Sequence, residues 1–209
     1  MKSIGVLLLL ASAVVLLGGS ALAQNDPVAG GDYSFYFVTY YSNANNPKAP
    51  DATLRIVNDG DLSTSEVEGV PNGGMYAGIA VFDDSQELQE CCNCWISADG
   101  VLSESVNKNL LTNSLTGKVN TRGVIKVVGN TNADVTNTRV VPGLHGWMTH
   151  VQAFNPIAGT GPYTTTETPL ADANLTGVEA EALGQLCSFA FTLGSGHGIC
   201  SCTPEDHDF

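Results

Sequence analysis

Apolar and polar residues alternate with a period of two over much of the chain. Residues 53–57 place Leu54 and Ile56 on one side and Arg55 on the other, the pattern of a strand with one buried face. Residues 75–82 continue it with Ala77, Ile79 and Val81, and residues 123–128 form a further apolar, β-branched run. The densest stretch, residues 33–41 (YSFYFVTYY), is aromatic and β-branched almost throughout and predicts a strand. Shorter strands are expected at residues 95–96, 102–106, 138–141, 146–154 and 163–168. Residues 83–90 read instead as a polar lead-in to a cysteine cluster. Asn58-Asp59-Gly60-Asp61, Asp99-Gly100 and Pro142-Gly143 supply turns between these runs.

One segment changes period. Thr176 stands three residues before Glu179, a capping-box pattern. Leu183, Leu186 and Ala190 then recur on one face with Cys187 beside them, so residues 177–189 are expected to be helical. Seven or eight strands separated by turns, followed by one helix, predict a mainly β protein. The expected architecture is an antiparallel β-sandwich with a C-terminal helix. No internal repeat or linker divides residues 33–202, which read as one domain.

The first 23 residues have the layout of a secretory signal peptide. Lys2 is the positive n-region, residues 4–17 are apolar and uncharged, and Ala21-Leu22-Ala23 is a small-x-small cleavage box. A bilayer span takes roughly 20 apolar residues, and this run is shorter. Cleavage is expected before Gln24, leaving no membrane span. Residues 24–32 form a Gly- and Pro-containing leader expected to be mobile, and residues 203–209 an acidic tail. The expected location is extracellular or periplasmic.

Composition narrows the partners. The formal net charge is -13, with only 8 Lys and Arg residues. So acidic a surface repels phosphate backbones and anionic membranes, which argues against nucleic acid as a partner. Charged residues make up only 14% of the chain and glycines number 23, a profile of short strands and polar turns rather than of a helical bundle.

Six cysteines fall into two groups, Cys91, Cys92 and Cys94 before Trp95, and Cys187, Cys200 and Cys202 near the end. An even count in an exported chain reads as a disulfide framework. Adjacent Cys91 and Cys92 diverge across a trans peptide, and a C-x-C pair is strained. Each member of the first group is therefore expected to bond a member of the second, which leaves six connectivities open. Such bridges close loops on the order of 100 residues, each contributing roughly 4–5 kcal/mol in the chain-entropy model. The rival is a zinc or copper(I) site of four thiolates near His197. Neither group has the C-x2-4-C spacing of structural zinc sites, so no metal or other cofactor is expected.

Gly194-Ser195-Gly196-His197-Gly198 is neither a nucleophile elbow nor a dinucleotide fingerprint, and reads as a turn leading back to Cys200. His145 and His150 are an odd offset apart, so a strand points them to opposite faces. Asn58, Asp59 and Asp61 with Glu66 or Glu68, or Asp83 with Asp84, offer oxygen ligands for calcium without the EF-hand spacing. No carboxylate pair stands out for glycoside hydrolysis.

The Glu90-Cys91-Cys92-Asn93-Cys94 run, the segments Leu115-Thr116-Gly117 and Gly123-Val124-Ile125-Lys126, and the ending Leu193-Gly194-Ser195-Gly196-His197-Gly198-Ile199-Cys200-Ser201-Cys202 together resemble a group of uncharacterised exported bacterial proteins, mainly acidobacterial. The resemblance spans residues 52–202. It implies export and disulfides and carries no activity.

The expected function is therefore a secreted, non-enzymatic structural or surface protein, whose partner is a further copy of itself or a cell-surface component. A sharper form makes it an extracellular fibre subunit assembled by strand addition, with Tyr33, Phe35, Phe37 and Tyr40 of the aromatic run as the added strand. The alternatives are a module binding a glycan or small ligand through Trp95 or Trp147, and a secreted hydrolase.

Overall fold

A computed structural model describes residues 35–44, 46, 48–62, 73–133, 140–155 and 160–203. The signal sequence, the leader, Tyr33, Glu66, Glu68 and residues 204–209 lie outside them. Eight antiparallel strands among the described residues form two four-stranded sheets, with one α-helix after them. The predicted β-sandwich with a C-terminal helix is the observed fold.

The first sheet has the order β1 (Tyr36–Ser42), β6 (Arg122–Asn130), β3 (Met75–Asp83), β4 (Leu88–Ile96). The second has the order β5 (Val101–Ser105), β2 (Thr53–Asn58), β7 (Leu144–Asn155), β8 (Thr160–Pro169). Alternation puts Ile79, Val81, Ile125 and Val127 of the first sheet against Leu54, Ile56, Leu102 and Met148 of the second, and these form the main core. Helix α1 (Gly177–Thr192) lies on the outer face of the first sheet. There Leu183, Cys187 and Ala190 meet Phe35, Tyr36, Ala80, Cys91 and Val128 in a second core.

Several expectations are corrected. Residues 83–90 are not wholly a lead-in, because β4 begins at Leu88 and runs through all three cysteines to Ile96. Trp95 and Ile96 end that strand and do not form one of their own. Val140 makes only an isolated bridge to Asn130 and no strand, while residues 138 and 139 are outside the described set. After β5 the chain turns through a single π-helical segment, Val106–Leu110, which alternation does not foretell. Helix α1 also runs to Thr192, three residues beyond the expected end, and Leu186, expected on one face with Leu183 and Ala190, is exposed, because the first sheet covers only the side of the helix that carries Leu183, Cys187 and Ala190.

The capping box is half formed. The Thr176 hydroxyl accepts from the Glu179 backbone N–H at 3.2 Å. The Glu179 carboxylate does not turn back to the cap. It accepts instead from the Tyr36 hydroxyl at 3.1 Å and pairs with Lys126, tying the start of α1 to β1 and β6.

Candidate functional site

The most built region of the molecule is where α1 and the segment after it are fastened to β4. Side chains of a strand alternate between faces. Cys91 therefore points outward to Cys187 on α1, while Cys92 and Cys94 point inward to Cys200 and Cys202. The three disulfides join positions 96, 108 and 108 residues apart, each pairing one member of the first group with one of the second. Cys92, Cys94 and Cys202 place their sulfurs within 4.8 Å of one another, a metal-like cluster, but every one of these sulfurs is already bonded in a disulfide.

Between α1 and Cys200 the glycine-rich motif is a turn, as its sequence suggests. Gly194, Gly196 and Gly198 all have positive φ. Gly198 is the tightest of them, since a Cβ there would lie 2.5 Å from Leu115 Cγ. Its backbone joins two segments. Gly198 N–H donates to Asn113 O at 2.7 Å, and Cys91 N–H donates to Gly198 O at 2.8 Å. Cys200 N–H then donates to Cys91 O, so residues 198–200 line the edge of β4.

Two buried carboxyls hold residues 198–203, the strap after α1, Glu104 directly and Glu90 by way of Asn113, and sequence reasoning singled out neither. Glu90 is fully buried; its Oε1 accepts from Asn113 N–H at 2.5 Å, and its Oε2 has no partner. Burial pushes its pKa up to about 7, against the opposing pull of the Asn113 hydrogen bond. Glu104 is also fully buried and accepts from both the N–H and the hydroxyl of Thr203, at 2.7 and 2.8 Å. Burial raises its pKa as well, partly offset by those two bonds. Their only sequence signal was an acidic residue at an inward position of a strand.

The other sequence candidates do not converge. His145 faces solvent 3.4 Å from Asp59, whereas His150 is buried, stacked on Tyr40 at 3.9 Å and hydrogen-bonded through Nε2 to Thr168 at 2.8 Å. Burial lowers the His150 pKa. His197 is exposed in the glycine turn, its N–H donating to Ser195 Oγ at 3.2 Å. Asn58 is consumed by backbone carbonyls of Gly73, Ile96 and Ser97. Asp59 accepts from Asp61 N–H, and Asp83 from Ser85 N–H, Glu87 N–H and Gln89. Asp84 pairs with Arg122 at 2.7 Å. These acids are turn-formers and ion-pair partners rather than a cluster aimed at one point.

Of the strand-addition candidates, Phe35 and Phe37 are buried, and Tyr40 is half exposed beneath its His150 contact. Strand β1 is hydrogen-bonded along one side to β6 of the same chain. Its other side is met by Asp172 opposite Phe37 and by Ala173 N–H donating to Tyr36 O.

Two tryptophans differ in setting. Trp95 is half-buried, edge-on to Tyr76 at 4.9 Å, and Trp147 is 40% exposed on the outer face of the second sheet. Between α1 and the first sheet lies a crevice of about 30 Å³ lined by Gly78, Ala80, Leu183, Gly184 and Cys187, space for little more than a water. A wider, open depression runs along Tyr40, Ser42, Asp84 and Arg122, and its two charges neutralise each other.

Helix α1 has a second apolar face. Leu186, Phe189 and Leu193 follow one another at helical spacing and are all exposed, Phe189 by 56%. Val178 extends the stripe toward the N-terminus. No helix among the described residues is long and apolar enough to cross a membrane. Comparison with protein-family models, with curated proteins and with solved structures finds no match to this chain.

Proposed function

We propose that the chain, once exported, is a non-enzymatic structural or surface protein that works by docking to a partner or to further copies of itself. The observation that carries this reading is the exposed face of α1. A helix pinned to β4 by Cys91–Cys187 has no freedom to turn Leu186, Phe189 and Leu193 inward, so its apolar surface is held toward solvent. Contiguous apolar surface on an acidic protein is the mark of an interaction site. Three disulfides suit an oxidising compartment, in keeping with export.

In its fibre form, the reading has β1 exchanged between copies. Deleting β1 would take Tyr36, Phe37 and Tyr41 out of the core and so unfold the chain. A cystine between Tyr40→Cys and its register partner Val124→Cys on β6 is the better test, because it locks β1 into its own sandwich. Assembly is followed by light scattering and electron microscopy of the protein lacking residues 1–23. Polymers that vanish on locking support strand exchange, and polymers that persist exclude it. A protein that stays monomeric and meets no surface component overturns the reading.

A second reading, binding of a glycan or small ligand, is favoured by the exposed ring of Trp147. Quenching of tryptophan fluorescence by a glycan panel, abolished in Trp147→Ala, tests it.

A further inference from the structure

Each sheet of the sandwich has two edges, and three of the four are met by other parts of the chain. Residues 198–200 line β4, Ala173 N–H donates to Tyr36 O on β1, and the Thr203 hydroxyl donates to Ser103 O on β5. Strand β8 is the fourth edge. Among the described residues, no backbone group bonds the outer side of residues 164–169. The ladder to β7 fixes which groups point there. Leu170 N–H donates to Gly146 O, so alternation makes Thr168, Thr166 and Thr164 the residues bonded to β7. Val151, opposite Thr165, has the matching phase, because its carbonyl turns away from β8 to accept from Ala44 N–H at 3.0 Å. The N–H and C=O of Thr165 and Glu167 therefore point outward. Pro169 ends the run in the same phase, its missing N–H on the outer side.

This edge is open to solvent on both faces. Residues 164–169 are all exposed, including Thr166 and Thr168, which share the inner face with buried His150 and Met148. Soluble proteins ordinarily blunt an edge strand with lysines, a bulge or a covering segment. Strand β8 has no lysine, and its register shift lies at Ala153/Asn155, opposite residues 160–163 and away from 164–169. Its β-branched threonines favour the extended conformation that a new neighbour needs.

We infer that β8 pairs antiparallel with β8 of a second copy, joining two four-stranded sheets into one of eight strands across a two-fold axis. This rests on reading the protein as one that docks to further copies of itself, and it needs no exchange of β1. Charge favours this place on so acidic a chain. Glu167 is the one charged side chain of β8, and Arg55 already holds it at 2.7 Å, so the two edges meet without an unneutralised carboxylate between them. Charge also narrows the register. A two-fold at Glu167 would set two carboxylates face to face, whereas one at Thr165 or Thr166 sets threonine opposite threonine, a favourable cross-strand pair. The outward groups of Thr165 and Glu167 supply donors and acceptors in the phase of an antiparallel neighbour. Such an isologous contact closes at the dimer and leaves the stripe of α1 exposed on both copies. It is small beside the roughly 1,600 Å² of a standard interface, so association is weak and concentration-dependent.

The test uses the chain lacking residues 1–23, by sedimentation equilibrium and residue-resolved amide exchange over a wide concentration range. A monomer–dimer equilibrium is expected. In dilute solution Thr165 and Glu167 should exchange fast beside slow Thr166 and Thr168, and both should slow as the dimer fills. Thr165→Pro removes an outward N–H and no bond to β7. It is expected to weaken dimerisation roughly 30-fold or more, since both copies lose a bond. Its folding is checked by circular dichroism and by the absence of free thiols, and should it misfold, the wild-type exchange pattern decides alone. Association without slowing at Thr165 and Glu167, or association abolished by Phe189→Glu and unchanged in Thr165→Pro, overturns the β8 pairing while leaving the docking protein intact. A wild type that is monomeric at every concentration also overturns it, and the broader reading then stands or falls on binding of a surface component.

Discussion

Cys91 and Cys92 are neighbours in the chain, yet their disulfides leave β4 from opposite faces, Cys91 to the helix outside the sandwich and Cys92 to the strap that closes its core. One dipeptide thus fastens two layers to the same strand. The alternation of a β-strand is the whole reason, because successive Cβ atoms point to opposite sides of a sheet.

The three bridges are expected to break in a set order. Cys202 is exposed, whereas Cys91, Cys92, Cys94, Cys187 and Cys200 are buried. A reductant therefore reaches Cys94–Cys202 first. Alkylation under graded reductant, mapped by mass spectrometry, should label Cys94 and Cys202 before any other pair. Simultaneous labelling of all six would show that reduction proceeds through global unfolding. Removing the Cys91–Cys187 bridge by paired serine substitutions is expected to cost about 2–5 kcal/mol in chemical denaturation.

Stability should fall as pH rises from mildly acidic to neutral. The Glu90 pKa is raised in the folded state, from 4.5 to about 7, so the folded chain holds a proton there that the unfolded chain has lost. That contribution is complete below about pH 4.5 and is lost as pH passes through 7, for a change on the order of 2–3 kcal/mol. Glu104 shifts in the same direction. Denaturant titrations at a series of pH values should show the slope, and Glu90→Gln should flatten it. His150 acts with the opposite sign. Its lowered pKa means stability present above the ordinary histidine range and lost as pH falls through the folded value. His150→Gln should therefore blunt the loss on the acid side.

Gly198→Ala is expected to destabilise the strap by about 2 kcal/mol or more, from a left-handed φ of 84° combined with contact against Leu115. The double variant with Leu115→Ala relieves the contact but not the backbone strain. It should show less than the sum of the two single losses, and strict additivity in denaturation would mean that the two residues do not press on one another.

Thr203→Val removes the hydroxyl that donates to Glu104 while keeping the backbone N–H bond. The buried carboxyl loses one of its two donors from Thr203, at an expected cost of about 1–2 kcal/mol. Hydrogen exchange should quicken at residues 200–203 and leave β2 and β7 unchanged.

Much of the fold was legible because the sandwich has one buried side per strand. Leu54, Arg55 and Ile56, or Ala77, Ile79 and Val81, declare their faces by alternation, and Thr176 marks the start of α1 through its hydroxyl. Strand β4 was hidden because it is covered on both sides, by the core and by α1, so Leu88 to Cys92 are all buried and no alternation survives in the residue types. Glu90 and Glu104 misled for a related reason. A carboxyl reads as a surface group until two chain segments close over it.

By itself the sequence determined the strands with one wet face, the cap of the helix, and the rule that each cysteine of the first group pairs across to the second. Tertiary structure alone decided which pairs with which, because only the placement of α1 and the strap on either side of β4 assigns Cys91 to Cys187 and sends Cys92 and Cys94 to Cys200 and Cys202. It also decided which apolar stripe of α1 faces water. Leu183 with Ala190 and Leu186 with Phe189 are equally apolar as text, and only docking on the first sheet buries one pair and leaves the other exposed. Periodicity reports that a face is apolar, whereas burial depends on what a distant part of the chain brings against it.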